Sequence, residues 1–168
     1  RQNVIFGMCY DDKKYNETIK LCCMGPDISS FENGSDEIVG DRGTTLSGGQ
    51  KARLNLARAI YRSADVYLFD DPLSAVDAKV GKHLFKRCIR QHLKNKIVIL
   101  VTHQLHFLKD VDQVMVVHKG QIAESGTYNE LMANTNGRLH KLLREEISLS
   151  TAYHTDEASS RRRTSSTR

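Results

Sequence analysis

The chain has 168 residues, is 39% hydrophobic and carries a formal net charge of +5, and its length suits one globular domain. No apolar run approaches the roughly 20 residues that a bilayer-spanning helix needs, and the first residues lack the regions of a signal peptide. Part of the positive charge lies in residues 148–168. Because the body is only mildly basic, we expect no nucleic-acid partner.

Two helices are predicted in the first third of the chain. The first spans about residues 16–24 and is closed by Gly25 and Pro26, which commonly interrupt helices. A polar connector follows through Gly43. The second helix is predicted from about Ser47 to Arg62, and one face carries apolar residues at helical spacing, namely Leu54, Ala57 and Ile60.

The middle of the chain has the pattern of a strand, a helix and a second strand. The apolar runs at residues 66–69 and 97–101 have no polar alternation, which predicts strands buried on both faces. A helix is predicted between them, from Asp77 to about Leu93, with four residues facing inward: Val80, Leu84, Cys88 and Ile89. Such a unit predicts a parallel crossover and an α/β fold.

The last third predicts a hairpin and two short helices. Residues 114–117 and 121–124 flank Lys119 and Gly120, a suitable turn. Residues 127–130 fit a capping box that starts a short helix, and residues 139–147 suit another. From residue 148 the composition turns to Ser, Thr and Arg, which predicts a disordered linker over residues 148–168.

The four cysteines predict no disulfide framework. Cys22 and Cys23 are adjacent, which is a poor geometry for a structural disulfide, and no CxxC spacing occurs. We therefore expect Cys9, Cys22, Cys23 and Cys88 to be reduced thiols.

The most informative local pattern is Leu46-Ser47-Gly48-Gly49-Gln50, which we name the glycine turn. Ser47 and Gln50 have the spacing of a capping box, so Ser47 is predicted to be the N-cap of the second helix. The two glycines then lie in the first turn, whose backbone N–H groups lack helical partners. Glycine lets a phosphate approach these groups closely, which predicts an anion site. An ordinary capped helix start is the alternative interpretation.

Polar residues follow both predicted strands. The acid pair, Asp70 and Asp71, ends the first strand, and His103 follows the second. Open α/β sheets place their ligands at the carboxyl ends of such strands. In a phosphoryl-transfer site the first acid would hold Mg²⁺, and the second would orient or deprotonate the attacking water. Considered alone, the acids also fit a cap of the next helix, and His103 fits a structural histidine.

Three stretches in fixed order carry a family resemblance. They are residues 40–53 around the glycine turn, residues 70–77, which read Asp-Asp-Pro-Leu-Ser-Ala-Val-Asp, and residues 102–104, Thr-His-Gln. Together they closely resemble the ATP-binding-cassette (ABC) family over about residues 1–145. The resemblance implies ATP and Mg²⁺ as cofactors and a P-loop NTPase (RecA-like) α/β fold, a parallel sheet with an added helical subdomain.

The family assigns a role to each matching residue. Asp70 would bind Mg²⁺, Asp71 would be the catalytic carboxylate, and His103 would contact the γ-phosphate and water. The glycine turn would close over the γ-phosphate of an ATP held by a second nucleotide-binding domain, and Asp77 would communicate across that pair. The implied nucleotide-binding residues are therefore Ser47, Gly48, Gly49, Gln50 and Asp77.

The chain departs from the family pattern at two points. The phosphate loop G-x-x-x-x-G-K-[ST] (Walker A) is absent from the sequence. Gly81 and Lys82 could match its Gly-Lys pair, but the first glycine would then have to lie at position 76, which is Val76. We therefore expect an N-terminally truncated cassette that does not hold ATP tightly alone. Asp71 stands where hydrolytically competent members have Glu, and a carboxylate misplaced by about 1 Å can cost about 100-fold in rate. This site is predicted to be slow.

Residues 70–77 and the Gly-Asp-Arg-Gly of residues 40–43 resemble the first cassette of the multidrug-resistance-associated (C) subfamily, in particular its short organic-anion exporters. This resemblance implies a helical subdomain over about residues 1–64, a RecA-like part over about residues 65–147, and a linker toward a second membrane domain. The implied partners are a second nucleotide-binding domain and transmembrane domains, at the cytoplasmic face of the plasma membrane. A kinase acting near Thr164 and Ser165 is a further possibility, and a merely solvating basic linker is the alternative.

Two other functions stay open from the sequence. The basic charge mildly favours a soluble cassette ATPase of translation or DNA repair. The departure at Asp71 also suits a regulatory nucleotide-binding module with little turnover of its own.

Overall fold

A computed structural model describes residues 1–146 and 148. The chain divides into two compact units, Arg1–His103 and Gln104–Arg168. Helices and short strands occur in both units, which agrees with the predicted α/β class. Within the described residues, no helix combines the length and the apolar composition that crossing a bilayer requires.

Unit 1 begins with three helices: α1 (Gln2–Ile5), α2 (Asp12–Leu21) and α3 (Gly25–Ser30). The predicted first helix was therefore placed too late, because the Asp11 side chain accepts a hydrogen bond from Lys14 N and starts the helix earlier. Gly25 and Pro26 do not close that helix. Pro26 lies in the first turn of α3, where its missing N–H costs nothing.

Helix α4 (Gly48–Arg62) confirms the second predicted helix, and two short 3₁₀ turns, Gly34–Asp36 and Asp41–Gly43, precede it. Its buried face carries Leu56, Ala57, Ile60 and Tyr61, whereas Leu54 is only half-buried. The prediction for this face was thus right for Ala57 and Ile60.

Strands β1 (Val66–Asp70) and β2 (Ile97–Val101) pair in parallel, as predicted, with Asp70 opposite Val101. Helix α5 (Ala78–His83) lies between them in the sequence and continues as a π-helical segment, Leu84–His92. Three of the four residues predicted to face inward here are buried, and Val80 is half-buried.

The prediction that both strands are buried on two faces was wrong. Along β1 the burial alternates: Tyr67 and Phe69 are buried, whereas Leu68 is 73% exposed. Along β2, Ile97, Ile99 and Val101 are exposed. Within the described residues this sheet has only these two strands and only one covered face, so the apolar runs do not have the environment that their composition predicts.

The core of unit 1 is built around Tyr61 and the buried thiols. The Tyr61 hydroxyl donates to the carbonyl oxygen of Cys9 at 2.7 Å and accepts from the N–H of Asp11 at 2.9 Å. All four cysteines are free thiols, as predicted. A hydrogen bond with Cys88 and burial raise the pKa of the Cys22 thiol, so this group stays protonated and unreactive.

Unit 2 contains a 3₁₀ segment (Leu105–Asp110), strands β3 (Val114–His118) and β4 (Gln121–Gly126), helix α6 (Tyr128–Ala133) and helix α7 at residues 138–146. The antiparallel hairpin and the Thr127 to Glu130 capping box confirm the predictions. A small apolar core joins these elements, with Val114, Val116, Leu131 and Leu139 buried. The predicted linker, apart from Ser148, lies outside the described residues.

The carboxylate of Glu124 on β4 caps helix α7 from outside the helix. Its two oxygens accept hydrogen bonds from the N–H groups of Arg138 at 2.8 Å and Leu139 at 2.9 Å. These donors belong to the first turn of α7, which has no helical partners for them. The N–H groups, with that of Leu139 contributing most, hold the pKa of the Glu124 carboxyl below its ordinary value of 4.5.

Acid is therefore expected to release this cap. Because the ionised carboxylate is the form that the N–H groups bind, the stabilisation is complete above pH 4.5 and is lost as the pH falls through the lowered folded-state pKa. Proton NMR between pH 6 and pH 2.5 should show the amide shifts of Arg138 and Leu139 moving together, below pH 4.5. Glu124→Gln should abolish this titration, whereas Glu17→Gln on α2 should preserve it. Movement centred above pH 4.5 would contradict the assignment.

Candidate functional site

The glycine turn starts α4 through a complete capping box. Ser47 Oγ accepts from the N–H of Gln50 at 3.2 Å, and Gln50 Oε1 accepts from the N–H of Ser47 at 2.9 Å. The N–H groups of Gly48 and Gly49 occupy the first two helical positions, which have no acceptor four residues earlier within the helix. Gly48 is exposed and Gly49 is half-buried. The turn therefore presents two backbone donors at the positive end of a helix of 15 residues.

The same turn packs against the segment that follows the acid pair. A Cβ on Gly49 would lie 3.1 Å from the carbonyl oxygen of Ala75, and a Cβ on Gly48 would lie 3.7 Å from Ala75 Cβ. The first distance is tighter than nearly all real Cβ contacts, so Ala75 would have to shift. Glycine at position 49 thus has a steric reason within the chain as well as a ligand-binding one.

Asp71 turns the chain sharply at the end of β1. Its backbone has a φ of 43°, a left-handed conformation that Asp adopts more readily than most residues. Its N–H continues the sheet by donating to Val101 O at 2.9 Å, and its carbonyl oxygen accepts from the N–H and hydroxyl of Ser74. Thr102 Oγ1 donates to Asp71 Oδ1 at 3.4 Å. The side chain is therefore held at the carboxyl ends of both strands.

Asp70 and His103 lie at the same edge of the sheet. Asp70 is the last residue of β1 and is exposed, and His103 is exposed two residues after β2. The parallel register, in which Asp70 lies opposite Val101, brings the two strand ends together as predicted. Three polar side chains, those of Asp70, Asp71 and His103, thus follow neighbouring strand ends.

Asp77 also has a local structural role. Its Oδ1 accepts from the N–H groups of Lys79 at 3.1 Å and Val80 at 3.0 Å, so it is the N-cap of α5. Capping of the next helix was expected at Asp70 or Asp71, whereas in the structure Asp77 is the residue that caps it. The motif Asp-x-Lys-Val before an apolar helix was the available signal.

Two side chains near the site were not predicted. Thr102 contacts Asp71, and Asp27 on α3 binds both Gln50 and Arg53 of α4. Asp27 is 23 residues from Gln50 and 26 residues from Arg53 in the chain. No local sequence pattern reports a contact at such separations.

The residues present fit the implied nucleotide and metal. Backbone N–H groups of two glycines, one exposed and one half-buried, suit a phosphate because no side chain of these residues blocks its approach. Mg²⁺ takes one or two carboxylates plus phosphate oxygens rather than a full protein cage, and the exposed Asp70 carboxylate supplies such a ligand. Within residues 1–146 and 148, no group of three or more His, Cys, Asp or Glu side chains is placed to hold a metal ion.

Comparison with known proteins decides the family. The family model described as ABC transporter matches residues 26–74, which include the glycine turn and the acid pair. A mouse protein, ATP-binding cassette sub-family C member 4, is 51% identical over 154 residues, which are 90% of this chain. The chain belongs to the ABC transporter family. Its relatives point to the C subfamily within it.

Two other relatives agree with this assignment to the ABC family. Human ATP-binding cassette sub-family C member 4 is 53% identical over 132 residues, or 79% of this chain. The probable multidrug resistance-associated protein lethal(2)03659 of Drosophila melanogaster is 51% identical over the same number of residues. The chain spans 12% of the length of the mouse relative and 10% of the length of the other two.

The capping role of Ser47 in this ABC turn can be measured separately from any ligand. Ser47→Ala should lower the free energy of unfolding by about 1 kcal/mol, because the Gln50 N–H loses its acceptor. Ser47→Asn should retain most of this stability, since Asn is an equally good N-cap. Urea unfolding of the chain followed by circular dichroism measures both values. Equal stabilities for the Ala and Asn variants would contradict the cap.

Proposed function

We propose that this chain forms part of a nucleotide-binding domain in an ATP-driven exporter, as one of two cassettes that close around ATP. The glycine turn carries the proposal, because its capped helix start presents N–H donors where glycine admits a phosphate. The proposed domain is a P-loop NTPase. Its helical subdomain covers about residues 1–64, and its RecA-like part covers about residues 65–147.

In the proposed site the glycine turn acts in trans. Gly48 and Gly49 donate their N–H groups to the γ-phosphate of an ATP whose phosphate loop belongs to the second cassette. Ser47 and Gln50 hold the turn in shape through the capping box. The donors of the turn are the proposed contribution of this chain to that shared site.

The acid pair serves the nucleotide bound on the same cassette. Asp70 is the proposed Mg²⁺ ligand, and bound Mg²⁺ would neutralise phosphate charge during transfer. Asp71 orients the attacking water, with its carboxylate held by Thr102. His103 contacts the γ-phosphate and water. Asp77, besides capping α5, faces the second cassette.

At the level of the whole protein, closure of the two cassettes would move transmembrane domains, and hydrolysis would reset them. The name of the Drosophila relative, a probable multidrug resistance-associated protein, supports export of drugs. Export of organic anions, and a place as the first cassette of the transporter, are proposed from the resemblance of residues 40–43 and 70–77. Residues 1–7 would begin the helical subdomain, which would receive the intracellular loops of the transmembrane domains at the cytoplasmic face of the plasma membrane. The linker and a kinase acting near Thr164 and Ser165 remain proposals outside the described residues.

The relatives also weigh on the alternatives. Those named here are C-subfamily, multidrug resistance-associated or transporter proteins, which favours a transporter over a soluble ATPase of translation or DNA repair. One observation still favours the regulatory module, namely the aspartate at position 71.

Gly49→Asp in the complete transporter is expected to reduce ATPase activity and export by at least about 100-fold, because the added carboxylate would repel the phosphate that the neighbouring N–H groups are proposed to bind. The readouts are vanadate-sensitive ATPase activity and transport into inside-out vesicles. Gly49→Ala is the matched control, because it meets the same 3.1 Å contact with Ala75 O without adding charge. The Asp variant should therefore be much the worse of the two. Normal ATPase activity and export in Gly49→Asp would refute the trans role.

Asp71→Glu is expected to raise the ATPase rate of this site, by up to about 100-fold if the only defect is the retracted carboxylate. Single-turnover hydrolysis by the complete transporter measures it. Asp71→Asn, which keeps the size and removes the charge, is the control and should not accelerate hydrolysis. An unchanged rate in Asp71→Glu would instead favour the regulatory module.

A further inference from the structure

Asp27 on α3 joins two side chains of α4, immediately beneath the glycine turn. Its Oδ1 accepts from Gln50 Nε2 at 3.0 Å, and its Oδ2 accepts from Arg53 Nη2 at 2.7 Å. The side chains of Asp27 and Arg53 are only 15% and 13% exposed. Both carboxylate oxygens are therefore engaged in charge-assisted or amide hydrogen bonds away from bulk water.

The contact with Gln50 reaches the backbone of the turn. The amide of Gln50 has two ends: its NH₂ donates to Asp27, and its oxygen accepts from the N–H of Ser47 at 2.9 Å. An ionised carboxylate can only accept hydrogen bonds, so Asp27 binds the NH₂ end of the Gln50 amide. The oxygen end of that amide therefore faces Ser47. A continuous hydrogen-bonded path thus runs from α3 through the Gln50 side chain to the backbone of Ser47.

The contact with Arg53 controls a charge beside the turn. Arg53 Nη1 lies 3.5 Å from the position that a Cβ on Gly49 would occupy. Within the described residues, Arg53 Nε is buried without a hydrogen-bond partner, so Asp27 is the group that holds this guanidinium in place. Without Asp27, an unpaired buried charge would lie against the glycine that is proposed to meet phosphate.

We propose that Asp27 is a positioning residue for the glycine turn. It sets the orientation of the Ser47 and Gly49 region through Gln50, while its ion pair with Arg53 keeps the Asp27 carboxylate in place. It touches no nucleotide itself. This inference rests on the proposed function, because orientation of the turn matters only if the turn binds phosphate in trans.

The test uses the complete transporter with fluorescent labels on its two cassettes, and measures the ATP concentration that gives half-maximal pairing. Asp27→Ala should raise this concentration about tenfold, the equivalent of one charge-assisted hydrogen bond. Photolabelling of the same cassette by azido-ATP should be unchanged, because that nucleotide is held by other residues. Asp27→Glu, which keeps the carboxylate, should restore most of the pairing. Asp36→Ala is the matched control, because it removes another ion pair between an arginine and an aspartate, that of Arg1 with Asp36. The Asp36 side chain is 64% exposed, and its loss should leave pairing of the cassettes unchanged.

Asp27→Ala also leaves Arg53 buried without its partner, so a second variant is needed in case that protein does not fold. Asp27→Ala with Arg53→Met removes both charges and still leaves Gln50 without its anchor. It should show the same loss of pairing with normal thermal stability. A double-mutant cycle with Gln50→Ala tests whether Asp27 acts through Gln50. If it does, Asp27→Ala should change the half-maximal ATP concentration for pairing only slightly when residue 50 is already alanine.

The outcomes separate this inference from the proposed function. If Gly49→Asp abolishes pairing but the Asp27 variants pair normally, the turn binds phosphate and Asp27 has no positioning role. If the effects of Asp27→Ala and Gln50→Ala multiply independently, the route through Gln50 is refuted. If Gly49→Asp itself pairs normally, the proposed function is refuted, and the inference on Asp27 is refuted with it.

Discussion

The site depends on one constraint of helix geometry: the first N–H groups of a helix have no partner within it. At the start of α4, Ser47 and Gln50 satisfy each other's backbone N–H groups, and those of the two glycines have no partner within the helix. A side-chain cap on every donor would have closed the turn to a ligand. A turn with no cap would have lost the defined start that aims the donors. The capping box therefore both fixes the helix and keeps its anion-binding end available.

A second constraint couples this turn to the acid pair within unit 1. The left-handed backbone of Asp71 directs the chain away from β1, and the following residues return so that the Ala75 carbonyl oxygen lies against Gly49. The segment after β1 and the first turn of α4 therefore pack closely through the backbone of Ala75. Unit 1 therefore contains two sets of residues: those proposed to bind a nucleotide on this cassette, and those proposed to bind a nucleotide held by the second cassette.

The features that sequence alone predicted are those whose cause is local. The Ser47 capping box, the Thr127 capping box and the hairpin turn at Lys119 are fixed by neighbours within three residues, and all three were predicted correctly. The start of α2 was missed because Asp11 caps it ahead of the apolar pattern. The faces of β1 and β2 were missed for a different reason. Apolar composition reports the environment that a strand requires, whereas exposure depends on which elements cover it within the described residues.

Asp27 shows why the remainder of the site was beyond the sequence. The sequence placed it in a polar connector after Gly25 and Pro26, whereas it lies in the first turn of α3. Its pairing with Arg53 depends on α3 and α4 packing together, and burial then makes the pair obligatory, because neither charge is stable alone in that position. The glycine turn could be recognised from five consecutive residues. The group that holds it could be found only where the fold brings residue 27 to residue 50, and its chemical role follows from the two carboxylate oxygens that it divides between an amide and a guanidinium.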